Sequence, residues 1–245
     1  MNQLLPEAIL VTALHQDTPD LRRAIIETAR ALALNGLTKG TSGNVSARTQ
    51  TGFLITPSGI PYEALTEELI VAMDLDGGYF GETLPSSEWR MHLDIYRHQP
   101  EAGAIVHCHS PRATALSCLR RGIPAFHYMV AIAGGERIDC AAYATFGTRA
   151  LSQTMLEALE GRRACLLANH GQIAYGPNLA RALSLAEGVE ELADQYLSAL
   201  SVGEPTLLGH DEMTENLRKF RNYGKQPDEQ DPDAGAAFEL PVKKG

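Results

Sequence analysis

In Ala104-Ile-Val-His107-Cys-His109-Ser110, two histidines stand one residue apart at the end of an apolar run. An extended strand points residues i and i+2 to the same side, so His107 and His109 can aim both imidazoles at one point. Two further donors sit at turns: Glu88 in Pro85-Ser-Ser-Glu-Trp-Arg, and His170 in Leu166-Leu-Ala-Asn-His-Gly171. Three imidazoles and a carboxylate make a ligand set suited to zinc. Cys108 lies between the paired histidines but faces the other side of a strand, and is not counted as a ligand. His92, one helical turn after Glu88, is a reserve candidate for which a supporting or packing role is the plainer reading. His15, His98 and His210 read as surface residues.

A second set of residues suits an anion. Gly43 with Asn44, and Ser58 with Gly59, form turns whose glycines let backbone N–H groups approach a phosphate. Ser86 and Ser87 are expected at a helix N-terminus, where free N–H groups and the dipole favour negative charge. The chain contains neither GxxxxGK[ST] nor GxGxxG, which argues against ATP and dinucleotides. Tyr128, in Phe126-His-Tyr-Met-Val-Ala-Ile-Ala-Gly134, is a phenol able to exchange a proton with a substrate oxygen if it stands near the metal. Core or interface packing is the competing reading for it.

These side chains need a scaffold. Thr18-Pro19 starts a helix whose apolar stripe runs through Leu21, Ala24, Ile25, Thr28 and Leu32 and stops at Gly36. Short strands are expected around 44–48, 53–56, 71–75, 104–109, 164–168 and 173–175. Helices are expected at about 86–98, from Pro111, over 147–160 and over 178–200. The elements alternate without strict βαβ spacing, which predicts an α/β single domain: a central mixed β-sheet sandwiched by helices. The limits expected are an N-terminal extension at 1–17, the domain itself at 18–224, and a flexible tail at 225–245, rich in Pro, Asp, Gln and Gly.

Composition narrows the partners. The 245 residues, 44% hydrophobic, suffice for one large core. A formal net charge of -9 disfavours nucleic acid but not an anionic small molecule held by a metal and backbone amides. No apolar run is long enough for a membrane span, and no leader-like N-terminus is evident, so a membrane partner is not expected. The four cysteines show no CxxC spacing, consistent with a reduced, cytoplasmic protein.

Taken in order, SGNVSAR at 42–48, TPSGIPYE at 56–63, PSSEWRMH at 85–92, IVHCHS at 105–110 and NHG at 169–171 resemble the class II aldolase/adducin family from about Leu21 to Tyr223. PSSEWRMH, HYMVAIAGG at 127–135 and YATFGT at 143–148 are most like members that cleave L-fuculose 1-phosphate. The resemblance implies one zinc per subunit on His107, His109 and His170, with Glu88 as a fourth ligand that can leave the metal and act as a base. It implies phosphate held by Gly43, Asn44, Ser58, Gly59, Ser86 and Ser87, and Tyr128 serving the aldehyde oxygen. It further implies a homotetramer with sites at subunit interfaces, Tyr128 coming from a neighbour, and aromatic residues Phe220 and Tyr223 near the site. The implied activity is reversible cleavage of a ketose 1-phosphate to dihydroxyacetone phosphate and a short aldehyde. L-fuculose 1-phosphate, 5-deoxyribulose 1-phosphate and 5-methylthioribulose 1-phosphate are the candidate substrates, the last two belonging to salvage routes. A sugar-phosphate 4-epimerase and a methylthioribulose-1-phosphate dehydratase are alternatives within the family, and a metal-free scaffold like adducin is the alternative outside catalysis.

Overall fold

The computed structural model describes residues 15–223, 225–226, 231–235 and 237. The expected N-terminal extension therefore lies outside the described residues except for its last three, of which His15 bridges to Thr49. The strands are β1 (Asn44–Thr49), β2 (Gly52–Ile55), β3 (Val71–Asp74), β4 (Tyr79–Phe80), β5 (Ala104–Cys108), β6 (Cys140–Ala141), β7 (Ala164–Leu167) and β8 (Gly171–Gly176). They form one sheet in the order β4-β3-β2-β1-β5-β8-β7-β6. Only β6 and β7 run parallel; the other neighbours are antiparallel. The expected mixed sheet is thus the scaffold.

Among the described residues six α-helices cover it: α1 (Pro19–Leu34), α2 (Trp89–His98), α3 (Pro111–Cys118), α4 (Arg149–Ala158), α5 (Leu179–Val202) and α6 (His210–Phe220). Local chemistry sets their starts. The Thr18 hydroxyl accepts the Leu21 N–H at 3.2 Å, and the Asn178 side chain accepts that of Arg181 at 2.9 Å. The period-2 alternation of the strands divides the core into two layers. Ala104, Val106 and Cys108 of β5 pack on the side of α1, α3 and α5, whereas Ile105 packs on the side of α2 and α4. Cys108 therefore faces away from His107, as strand geometry requires. All four cysteines are free thiols. Among the described residues no helix is long and apolar enough to cross a membrane.

Several elements differ from the sequence expectation. Helix α2 begins at Trp89, so Ser86 and Ser87 precede it instead of forming its first turn. Strand β8 starts at Gly171, two residues before the expected 173. The two-residue strands β4 and β6 and the helix α6 were not expected. Within the segment read as a tail, Asp231–Gly235 folds back onto the end of α6. The buried Asn222 amide donates to the carbonyls of Asp231 and Gly235 at 2.8 and 2.6 Å, and its carbonyl accepts the Asp231 N–H at 2.6 Å.

Candidate metal centre and anion cleft

The site forms at one end of the central strands. His107 is the penultimate residue of β5, opposite Asn44 of β1 and Ile173 of β8, and its side chain is fully buried. His109 follows just beyond the strand. His170 lies in the turn between β7 and β8. That turn needs an unusual backbone: Asn169 has φ 55, the left-handed region that asparagine tolerates better than most residues. Two contacts from α3 hold it. The Asn169 N–H donates to the Ser117 carbonyl at 3.0 Å, and the His170 N–H to the Ser117 hydroxyl at 3.2 Å. Glu88 occupies the N-cap position of α2 but makes no capping hydrogen bond; its carboxylate turns to the histidines instead.

Glycine is required at two of the flanking positions. A Cβ on Gly43, whose φ is 84, would sit 2.7 Å from the His107 carbonyl oxygen; one on Gly171 would sit 2.5 Å from that of Cys108. Any side chain there would press on the β5 backbone, so the strand that carries the histidines would have to shift.

The donor atoms converge. One ligand atom from each of Glu88, His107, His109 and His170 lies within 4.8 Å of every other. His107 Nε2 is 3.0 Å from Glu88 Oε2 and 3.1 Å from His109 Nε2; His170 Nε2 is 3.1 Å from Glu88 Oε1. The three rings meet edge-on like blades, with centroids 4.9, 4.9 and 4.8 Å apart. Donors about 2.0–2.1 Å from a tetrahedral zinc stand about 3.3 Å from each other, close to the contacts seen here. Glu88 Oε1 is buried and makes no well-directed hydrogen bond despite its nearness to His170. An orphaned carboxylate oxygen facing imidazole nitrogens is what a bound cation would satisfy, so the residues fit the ion.

Charge follows the same geometry. Burial alone would raise the Glu88 carboxyl, but the charge and hydrogen bond of His107, with His170 close by, outweigh it and hold it below the usual carboxylate range. Burial opposes a charge on His107, yet the adjacent Glu88 holds its pKa above the ordinary histidine value. Burial, aided by the neighbouring imidazoles, lowers His109 to about 4.

Above the histidines opens a cleft of about 320 Å³, at the small end of the range for small-molecule sites. Gly43, Asn44, Ser58, Gly59, Ser86, Ser87, Glu88, His109 and His170 all line it. A Pro57–Pro85 bridge ties the two serine turns together. The Ser58 and Ser86 N–H groups are already used, donating to Leu84 and Thr56 carbonyls at 3.1 Å each. These two serines can therefore donate to an anion only through their hydroxyls, the Ser86 oxygen already accepting the Glu88 N–H at 3.3 Å. Sequence reasoning missed Thr41, Ser42, Tyr143 and Phe146 in the lining. The signals in the sequence were the two aromatics of YATFGT at 143–148 and the hydroxyls of Thr41 and Ser42 beside the Gly43 turn.

Three sequence candidates fall elsewhere. Tyr128, Phe220 and Tyr223 do not line this cleft; they form their own aromatic group, with Tyr128 and Phe220 stacked at 6.2 Å and Phe220 and Tyr223 tilted at 5.4 Å. Tyr128 is 47% exposed. His92, the reserve ligand, is fully buried behind Asn44, and burial pushes its pKa down to about 3.

The family described as Class II Aldolase and Adducin N-terminal domain matches residues 23–197. The chain is 53% identical over 204 residues to a 5-methylthioribulose-1-phosphate/5-deoxyribulose-1-phosphate aldolase of Rhodospirillum rubrum, covering 83% of this chain and 92% of the relative. It is 50% identical over 210 residues to an L-fuculose phosphate aldolase of Escherichia coli, covering 85% and 98%. A solved L-fuculose 1-phosphate aldolase superposes with a TM-score of 0.81 at 44% identity, over 83% of this chain and 97% of that one.

Proposed function

The chain belongs to the class II aldolase and adducin family, and from that membership we propose that it is a zinc-dependent aldolase. It would cleave a ketose 1-phosphate reversibly to dihydroxyacetone phosphate and a short aldehyde, as a cytoplasmic homotetramer. The observation that carries the reading is the convergence of three imidazoles and one carboxylate within 4.8 Å, at the floor of a cleft rimmed by serines and glycines. An adducin-like scaffold has no use for such a cluster.

His107, His109 and His170 would hold the zinc, with Glu88 as the fourth ligand. Bound there, the ion supplies Lewis-acid polarisation of a substrate carbonyl. The chain's own groups do the rest. The hydroxyls of Ser58, Ser86 and Ser87, with the glycine turns at 43 and 59, seat the phosphate and so fix the sugar's register. Free of the metal, Glu88 would carry a proton drawn from solvent to C3 of the dihydroxyacetone phosphate half once the C3–C4 bond has opened, and take it off in the synthetic direction. Tyr128, from a neighbouring subunit, accepts the proton of the C4 hydroxyl as it passes its own phenolic proton to solvent, with Phe220 and Tyr223 beside it. Tyr143 and Phe146 give the cleft an apolar wall that suits a methyl or thiomethyl terminus. The relatives named for fuculose, deoxyribulose and methylthioribulose phosphates share this aldol step and differ in that terminus.

Coupled assays with L-fuculose 1-phosphate, 5-deoxyribulose 1-phosphate and 5-methylthioribulose 1-phosphate test the reading. Release of dihydroxyacetone phosphate that a chelator abolishes and zinc restores is expected. No release from any of the three by zinc-loaded protein would overturn it.

A further inference from the structure

Behind Glu88 runs a buried line of hydrogen bonds that the proposed reaction does not use. The Asn44 amide Nδ2 donates to Glu88 Oε2 at 3.1 Å. Asn44 Oδ1 lies 2.5 Å from His92 Nε2, and His92 Nδ1 lies 2.6 Å from the Ser46 hydroxyl. Ser46 in turn lies 2.7 Å from the Tyr96 hydroxyl. Ser46 and His92 have no exposed surface at all, and Asn44 and Tyr96 almost none.

The donors and acceptors in this line leave one arrangement. An ionised Glu88 only accepts, so Asn44 must turn its NH₂ toward it and its oxygen toward His92. His92 must then carry its proton on Nε2, which leaves Nδ1 to accept from Ser46. Ser46 has spent its one proton, so the Tyr96 hydroxyl donates to it. Every bond points the same way, from Tyr96 to Glu88.

Resting on the reading of Glu88 as ligand and base, we propose that His92 is a positioning residue whose Nε2–H locks the Asn44 amide and thereby aims the Glu88 carboxylate. Without that donor, the buried Asn44 Oδ1 is left without a partner and the amide loses the anchor that fixes its hold on Glu88. The side chain does not touch the cleft, whose lining omits it. Its low pKa keeps the imidazole neutral throughout the working range, which preserves the single tautomer.

Three variants and two readouts test this. His92→Gln retains an NH₂ at the position of Nε2, His92→Leu retains none, and Ser152→Ala removes a buried hydroxyl that bonds Asp94 on another face of α2. The first readout is zinc affinity by calorimetric titration of metal-free protein. His92→Leu should lose about 10–100-fold, as loss of a ligand's support does, while His92→Gln should stay within about threefold of wild type. Ser152→Ala should change thermal stability without changing affinity. The second readout is the nitrogen NMR spectrum of metal-free wild type, where His92 should show a protonated Nε2 and a bare Nδ1. Equal affinities for the Leu and Gln variants, or a proton on Nδ1, would overturn the proposal. Neither readout depends on which sugar is cleaved. An inactive wild type with intact tautomer and affinity ranking would sink the functional reading and leave this one standing.

Discussion

His107 Nδ1 lies 2.8 Å from the backbone carbonyl of Gln172, across the β5–β8 pair. That bond can form only if Nδ1 carries a proton, so in the neutral ring Nε2 is the nitrogen left free to bind a metal. The sheet itself thus sets the tautomer of the buried donor, before any ion arrives. Exposed imidazoles would sample both tautomers and lose part of their affinity to that choice.

Metal content should follow this donor set. Purified protein is expected to hold one zinc per chain, and His109→Ala well below that, by elemental analysis. Chelation should abolish cleavage and added zinc restore it. Full turnover in the thoroughly chelated protein would contradict the assignment.

Glu88→Gln separates holding the ion from moving the proton. Three imidazoles remain, so zinc should still bind, while turnover should fall by about 100-fold or more, the usual scale of general acid–base catalysis. Near-normal turnover with zinc bound would remove Glu88 from its role.

Tyr128 tests whether sites are shared between subunits. Tyr128→Phe and Glu88→Gln proteins should each be nearly inactive. Refolded together in equal amounts, they should recover activity at about a quarter of the sites, since a site pairing one subunit's Glu88 with its neighbour's Tyr128 is then intact. No recovery despite mixed assembly would place both groups in one chain or discard Tyr128.

Stability should depend on pH through His92. Its folded pKa, about 3, lies below the ordinary value of 6.5, so the unfolded chain binds the extra proton between these limits. Stability due to this group is therefore full above pH 6.5 and is lost as pH falls toward 3. By pH 4.5 the loss amounts to about 2–3 kcal/mol at most, at 1.36 kcal/mol per unit. Urea unfolding of metal-free wild type and His92→Gln at pH 7 and 4.5 should show the variant losing less. Parallel losses would mean that His92 does not titrate in this window.

Gly43→Ala should cost about 1–3 kcal/mol in denaturant unfolding, because the left-handed backbone and the approach to the His107 carbonyl both penalise a Cβ. Zinc affinity should fall with it, since the displaced strand carries His107. Unchanged stability would show that the β1–β5 contact yields freely.

The histidines were legible because strand periodicity is strict: spacing two puts His107 and His109 on one side, and Cys108 on the other. The serine and glycine turns were legible from composition, although the sequence could not show that the Ser58 and Ser86 amides are consumed by Leu84 and Thr56. His92 stood out only as a neighbour of Glu88 on a helix. Its real partners, Asn44 and Ser46, come from a strand more than forty positions away. Strands β4 and β6, two residues each, are too short to show a period. Helix α6 carries a short stripe, Met213, Leu217 and Phe220 at i, i+4 and i+7, but only Met213 is fully buried and charged residues surround the three. The return of Asp231–Gly235 depends on Asn222, a single buried amide that local pattern cannot distinguish from a loop residue.

The four donors enter the chain at 88, 107, 109 and 170, and the last stands beyond β7. A growing chain that has emerged only through His109 offers an ion one carboxylate and two imidazoles; the third is added when β8 pairs with β5. Tight capture therefore awaits closure of a long loop and completion of the sheet's centre. Zinc can reward the finished fold but cannot template its early collapse, so chains made under metal starvation should still fold, and be loaded afterwards.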